Sequence, residues 1–267
     1  MSKLSLSPAW DETRAILARD GRLFVSVALA LFVLPGLILN VTMPETVSGE
    51  MPAVGPWLAI AGVALLVSLV GQLAVIRLAI GPHVSVGEAI MHGLKRLAPY
   101  VLAVLIWAVP ILLIGSALYS ILKLSAANPS IWVALALLLL TAVGAFLGVR
   151  LMLASAVASA EQVGPVGILR RAWDLSHGNW WRLFVFLLLF FVGALCLVWA
   201  VETVFALLAR VLFADSGPLS LGGLLIAIVT QLVSAFVSVI FFVMLARIYV
   251  QRAGGGEVQA SVPSSGT

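Results

Sequence analysis

The stretch RRAWDLSHGNWWRLF, residues 170–184, places charged residues and two adjacent tryptophans between two long apolar runs. From Pro165 to His177 the residues have the spacing of an amphipathic helix. The expected apolar face holds Val166, Ile168, Leu169, Ala172, Trp173 and Leu175, and the polar face holds Arg170, Arg171, Asp174 and His177. Gly178 is placed to end this helix in the left-handed conformation. The stretch therefore predicts a helix in the membrane interface that leads into a span.

Composition extends this interpretation to the whole chain. Of its 267 residues, 63% are hydrophobic and 10% are charged, whereas charged residues make up about a quarter of a soluble domain. Hydrocarbon offers no hydrogen-bond partner to the backbone, so runs of about 20 apolar residues cross a membrane as helices. The sequence predicts an all-α polytopic membrane protein with six transmembrane helices, at 23–41, 54–80, 100–122, 131–158, 183–208 and 221–248.

Similar segments precede spans 1, 3 and 5. They read SPAWDETRAILARDGRLF (7–24), SVGEAIMHGLKRLAP (85–99) and GPVGILRRAWDLSHGNWWRLF (164–184), and each following pair of spans closes at Arg77, Arg150 or Arg247. We expect an interfacial amphipathic helix before each pair and a threefold internal repeat. Ser85 and Glu88 have capping-box spacing. Residues 1–252 form the expected membrane domain, and 253–267 a flexible Gly, Ser and Pro tail.

The cationic residues indicate an orientation. With six spans, the N-terminus, the 81–99 loop, the 159–182 loop and the C-terminal tail share one side of the membrane. All of the 15 lysine and arginine residues except Lys123 and Arg210 fall on that side. The positive-inside rule then places both termini in the cytoplasm. The net charge of +4 follows from this topology, so no nucleic-acid partner is expected.

The order LASAVASAEQVGPVGILRRAWDLSHGNWWRLFVFLLL, residues 153–189, resembles the membrane-domain family named after glycerophosphoryl diester phosphodiesterase, together with related uncharacterised bacterial inner-membrane proteins. The resemblance covers nearly residues 5–252, with mild departures at Ala172 and Ser176. It implies a multi-pass protein of the bacterial inner membrane. It carries no enzyme activity over, because the phosphodiesterase chemistry of that family belongs to a separate soluble barrel domain.

Six polar residues near the predicted cytoplasmic face are candidates for a catalytic or metal site. The candidates are His83, Glu88, His92, Glu161, Asp174 and His177. No HExxH, Gly-x-Ser-x-Gly or similar spacing occurs among them, so no named mechanism is indicated. The single cysteine, Cys196, excludes an intramolecular disulfide. We expect no catalytic residue, metal or cofactor, and interpret the charges as solvated helix faces with local pairs such as Arg170 with Asp174.

Polar residues inside the spans allow two interpretations. Gln72 and Gln231 either support helix contacts or line a pore. Pro35 and Pro110 lie at similar depths and are expected to kink their spans. Glu202, the ionisable residue inside a predicted span, falls near the outer surface and indicates an interfacial position.

The leading hypothesis is a non-catalytic integral membrane protein that acts as a lipid- or partner-contacting envelope scaffold. Its expected partners are membrane lipids, including anionic ones, and a membrane protein. The residues expected at lipid head groups are Arg170, Arg171, Trp180, Trp181 and Arg182. The alternative is a transporter or permease-like protein for a lipid or small amphiphile, which predicts that Gln72 and Gln231 face one water-filled cavity. A third hypothesis, an interfacial enzyme, requires the acidic and histidine side chains to converge.

Overall fold

A computed structural model describes residues 6–44, 55–81, 84–124, 131–212 and 220–260, and within these ranges the regular secondary structure is entirely helical. The all-α prediction is confirmed. The helices are α1 (Leu6–Ala28), a π-helical segment (Leu29–Val33), α2 (Leu34–Thr42), α3 (Trp57–Ile80), α4 (Val86–Leu124), α5 (Ile131–Leu151), α6 (Ala154–Ala160), α7 (Pro165–Ser176), α8 (Trp180–Leu212) and α9 (Leu221–Ala260).

Six helical stretches are long and apolar enough to cross a membrane, and each overlaps one of the six predicted runs. They are Pro8–Thr42, Trp57–Ile80, Val86–Leu122, Ile131–Ala160, Trp180–Ala209 and Leu221–Gly254. Large apolar side chains on them point outward; Leu112, Leu138 and Leu189 are 68%, 67% and 68% exposed. Because a water-soluble protein does not expose apolar surface on this scale, the helices fit a multi-pass membrane protein.

Helix α3 lies at the centre of the bundle. It packs against α2, α4, α6 and α9. Among the described elements, α5 packs extensively only against α4, α7 and α8. Leu73 and Ile76 of α3 and Leu245 of α9 are fully or almost fully buried. Gly93 of α4 permits close packing of α4 on α3. An added Cβ at Gly93 would lie 2.8 Å from the Val70 carbonyl oxygen of α3.

Within the described ranges, only span 5 is preceded by a helix that a turn separates from the span. Helix α1 continues through the π segment into α2, and α4 runs unbroken from Val86 to Leu124 despite Pro99. Helix α7 is separate because Gly178, with φ of 78°, reverses the chain before α8. The prediction for Gly178 is confirmed. The interfacial amphipathic helices expected before spans 1, 3 and 5 stay a prediction. The threefold repeat stays a prediction.

The burial of α7 departs in part from the expected apolar face. Ile168, Ala172 and Leu175 are buried against the bundle. Val166 and Trp173 are 69% and 38% exposed, because the buried side of the helix is narrower than the apolar side of its sequence.

Proline has different effects in the two spans where kinks are expected. Pro35 lies two residues after the π-helical segment, and the N–H of Leu34 bonds the carbonyl of Leu29, five residues back. Pro110 lies inside α4 without an interruption of the α-helix. Proline has no backbone N–H to donate. The π turn beside Pro35 changes the hydrogen-bond pattern of the first span at this point.

At the C-terminal end, α9 continues to Ala260, into the segment 253–267 expected to be a flexible tail. The helix propagates from a long packed stretch, and no proline interrupts it before Pro263. Residues 261–267 lie outside the described ranges.

Candidate functional site

The start of α4 is fixed by a reciprocal cap. The Ser85 backbone N–H donates to Glu88 Oε2 at 2.9 Å, and the Glu88 N–H donates to Ser85 Oγ at 3.3 Å. The predicted capping box is confirmed. Glu88 is thereby committed to holding the helix terminus.

Two side chains of α4 cap the carboxyl end of α6. Arg96 Nε donates to the Ala158 carbonyl at 2.8 Å, and Arg96 Nη2 donates to the carbonyls of Glu161 and Val163. His92 Nε2 lies 2.8 Å from the Ser159 carbonyl oxygen. These carbonyls have no partner within the short helix. The Arg96 guanidinium supplies hydrogen bonds to three of them, and its positive charge offsets the negative end of the helix dipole.

The Glu161 carboxylate joins α7 to α9. Its Oε1 accepts from Arg171 Nε at 3.0 Å and from the Tyr249 hydroxyl at 2.8 Å. The hydrogen bond to this carboxylate raises the pKa of Arg171 above its ordinary value. The predicted pair of Arg170 with Asp174 is wrong, because among the described residues the salt bridge of α7 runs from Arg171 to Glu161.

The end of α9 adds two further connections. Arg247 pairs with Glu12 of α1. Arg252 Nε donates to the Leu175 carbonyl at 3.0 Å, and its Nη2 donates to the His177 carbonyl at 3.1 Å. These contacts bring α1, the start of α4, α6, α7 and the end of α9 to one end of the bundle. We call this end, defined by Arg96, Glu161, Arg171, Arg247 and Arg252, the basic face.

The candidate catalytic residues within the described ranges do not form one cluster. Glu88, His92 and Glu161 occupy the separate structural contacts given above, and Asp174 and His177 are exposed on α7 and just beyond it. His83 lies outside the described residues. In the described part of the chain, no three His, Cys, Asp or Glu side chains lie close enough to hold a metal ion.

The expected head-group residues lie at the α7–α8 junction. Arg170 and Arg182 are exposed, and Trp181 is 65% exposed. Trp180 is half-buried and stacks on Phe184 with ring centroids 5.2 Å apart. Arg171 differs from the rest of this set, because its guanidinium is paired with Glu161.

Arg150 belongs to the same region, although its sequence position indicated only the end of a span. Its guanidinium carbon lies 4.9 Å from the Trp173 ring centroid and 5.4 Å from that of Phe146. A cation over two rings gains electrostatic stabilisation that replaces part of its lost hydration. The contact joins α5 to α7, and no pattern in the sequence pairs these positions.

A second feature lies within the bundle, in a cavity of about 450 Å³ among α2, α3 and α9. We call it the central cavity. Gln72 and Gln231 both line it, together with Ser68, Ser234 and Ser238. On one side it is bounded by Phe32 and Phe242, whose ring centroids are 5.9 Å apart.

The absence of a side chain at Gly36 leaves room for the Gln231 amide. A Cβ added at Gly36 would lie 2.5 Å from Gln231 Oε1, so the Gln231 amide rests directly on the backbone of α2. The two glutamines therefore share a cavity, as the transporter alternative expects; whether water fills it stays a prediction.

A family model described as "Domain of unknown function (DUF7847)" covers residues 5–252. No curated protein and no solved structure matches the chain. The matched range is the range over which a family resemblance was expected, but nothing links the chain to the glycerophosphoryl diester phosphodiesterase membrane-domain family. The chain belongs to the DUF7847 family.

Proposed function

We propose that this protein is a non-catalytic integral protein of the bacterial inner membrane that contacts lipid head groups through the α7–α8 junction. The observation that carries the proposal is that Arg170 of α7 and Trp181 and Arg182 at the start of α8 are all exposed, while α7 also contributes Arg171 to the basic face. Tryptophan and arginine combine an apolar body with a polar end and favour head-group depth. An exposed arginine near the surface also attracts anionic lipid, by about 1 kcal/mol.

The non-catalytic part of the proposal is supported by the roles of the titratable side chains. His92 holds a carbonyl of α6, Glu88 caps α4, and Glu161 joins Arg171 to Tyr249. A general acid or base must reach a substrate proton from its own position. These three groups are instead engaged in contacts that hold the bundle together.

The proposed location places the basic face in the cytoplasm, by the excess of lysine and arginine on that side. Anionic lipids of the adjacent leaflet are then the expected ligands of Arg170 and Arg182, and a membrane-protein partner is the other expected contact. Arg171 contributes to this surface mainly by holding α7 to Glu161.

The test is to extract the full-length protein in native nanodiscs and to identify co-purifying lipids and proteins by mass spectrometry. The variant Arg170→Gln/Arg182→Gln removes two exposed charges at the junction. The matched control Arg14→Gln/Arg22→Gln removes two exposed charges from α1. We expect an enriched anionic lipid class that the first variant loses and the control retains. Lipid of bulk composition in the wild-type sample would contradict lipid binding here, and a stoichiometric protein partner would then indicate a protein scaffold.

The central cavity supports a second candidate function, transport of a lipid or small amphiphile. The supporting observation is that Gln72 and Gln231, on different spans, line one cavity. The test is movement of a fluorescent glucosyl diacylglycerol, whose uncharged sugar head crosses a protein-free bilayer slowly, between the leaflets of proteoliposomes. Transport that Gln72→Leu/Gln231→Leu abolishes would favour this candidate, and a rate equal to that of protein-free liposomes would reject it.

A further inference from the structure

We infer that the central cavity binds an uncharged amphiphile whose head carries hydroxyl or amide groups. The inference deepens the second candidate function by naming a ligand class, and it rests on that candidate in treating the cavity as a ligand site. It is independent of lipid binding at the α7–α8 junction.

Polar side chains face the cavity from two helices. Ser68 and Gln72 are one helical turn apart on α3, and Gln231, Ser234 and Ser238 follow successive turns of α9. At 1.5 Å per residue, Gln72 lies about 12 Å from the end of α3 and Ser238 about 14 Å from Arg247. The polar groups of the two helices are thus at similar depths, inside the hydrocarbon layer.

The Gln72 amide bonds the Tyr100 hydroxyl, but Ser238 and Gln231 have hydrogen-bonding capacity that the described part of the protein leaves unused. The Ser238 hydroxyl donates to the Ser234 carbonyl at 2.8 Å, which leaves its oxygen free to accept. Within the described ranges, no group hydrogen-bonds the Gln231 amide, which has two donor hydrogens and an acceptor oxygen. Lipid chains cannot satisfy an amide, so a polar ligand or water gains by entering the cavity.

The charge of the ligand follows from the lining. None of the side chains that line the cavity is ionisable. A phosphate or carboxylate placed there would lose its hydration without gaining a counter-charge, which disfavours its binding. Serine and glutamine, in contrast, both donate to and accept from a hydroxyl or amide. The lining therefore selects an uncharged polar head.

The apolar part of the ligand has adjoining space. A cavity of about 420 Å³ between the first span and α3 shares Pro35 and Ala64 with the central cavity. Another of about 420 Å³, between the first span and α9, shares Ala235. Both are lined almost entirely by apolar side chains of membrane-spanning helices. A head between Gln72 and Gln231 thus leaves its chain beside the first span, in surroundings that match hydrocarbon.

The volume agrees with a small ligand. Sites for small molecules occupy roughly 300–1,000 Å³, and the central cavity of about 450 Å³ lies in the lower part of that range. A single-chain alcohol or a monoacylglycerol head meets the conditions of size, neutrality and hydrogen bonding.

The probe for the experiment is a long-chain fatty alcohol that carries a diazirine in its chain. The full-length protein in nanodiscs is irradiated with this probe, and the adducts are mapped by mass spectrometry. Oleyl alcohol and monooleoylglycerol serve as neutral competitors, and oleyl sulfate serves as a charged competitor with a matched chain. We expect adducts on α2, α3 and α9 around the cavity that the neutral competitors reduce at least tenfold and oleyl sulfate does not.

Two variants test the polar contacts. Gly36→Ala displaces the Gln231 amide, and Gln231→Leu removes it at nearly constant volume; each is expected to lower the cavity adducts at least fivefold. Gly62→Ala is the matched control, because an added Cβ there meets nothing within 4 Å. If Gly36→Ala does not fold, Gln231→Leu alone decides.

Adducts spread evenly over the lipid-facing helices, or equal competition by oleyl sulfate, would overturn the inference. Cavity adducts in a protein that moves no glucosyl diacylglycerol would uphold the inference and reject transport. The failures of the two ideas are therefore distinguishable.

Discussion

Arg96 is the side chain on which the carboxyl end of α6 depends. It donates to three carbonyls, of Ala158, Glu161 and Val163, across α4 and α6. The variant Arg96→Met keeps the apolar stem but leaves partly buried carbonyls without a donor. We expect it to lower the free energy of unfolding by about 2 kcal/mol, because a lost partner costs more than a hydrogen bond gains.

The neighbouring Lys95 provides the control for Arg96. It is exposed, and Lys95→Met is expected to change the free energy of unfolding by less than about 0.5 kcal/mol. Unfolding of the purified proteins by denaturing detergent, followed by far-ultraviolet circular dichroism, measures both. Equal effects of the two substitutions would contradict the capping role of Arg96.

Local spacing predicts side-chain contacts only where the partners are neighbours on one helix. Ser85 and Glu88 meet that condition and form the expected cap. Arg171 and Glu161 lie on opposite sides of a helix start, and Tyr249 reaches Glu161 from the last span. These pairs arise from packing of distant segments, so sequence spacing could not have indicated them.

At the scale of helices, Gly178 decides where α7 ends and α8 begins. Its φ of 78° is a conformation that side chains with a Cβ rarely adopt. Gly178→Ala is expected to lower the free energy of unfolding by about 1–2 kcal/mol. Gly148→Ala, inside α5 with open space around the added Cβ, is expected to have no such cost. Thermal unfolding in one detergent compares them, and an unaffected Gly178→Ala protein would contradict the strained turn.

The contact of α3 with α4 depends on Gly93. An added Cβ would lie 2.8 Å from the Val70 carbonyl oxygen, so the helices must move apart. We expect Gly93→Ala to lower the free energy of unfolding by about 1–3 kcal/mol. Gly87→Ala, on the same helix, meets nothing within 4 Å and is expected to be neutral or stabilising. The same unfolding assay tests the pair, and equal stabilities would show that this contact is not close-packed.

The six spans could be predicted from apolar run length, because hydrocarbon thickness imposes a minimum length that few soluble sequences reach. Helix continuity could not, since Pro99 and the charged residues before it are compatible with either a break or a continuous helix. Gln72 and Gln231 were identifiable as polar residues within spans. Their convergence on one cavity depends on the rotation and neighbours of α3 and α9, which hydropathy does not specify.

For the whole molecule, the basic face and the central cavity are distinct features related by α3. Helix α3 packs beside α6 at Leu73, whose carbonyl accepts from the Ser159 hydroxyl at 3.1 Å. Gln72, the preceding residue, lines the cavity. A ligand that moves α3 would therefore disturb the contacts of the basic face, which is a physical route between the two features.

The sidedness of the basic face underlies the whole account, and cysteine labelling tests it most directly. In a Cys196→Ser background, single cysteines replace Lys95 and Asp174 on the basic face, and Ser48 and Ser216 in the connections at 45–54 and 213–219. A membrane-impermeant maleimide is added to intact bacterial cells and to lysed cells. We predict labelling of positions 48 and 216 in intact cells, and of 95 and 174 only after lysis. Labelling of position 174 together with position 48 in intact cells would contradict the six-span topology.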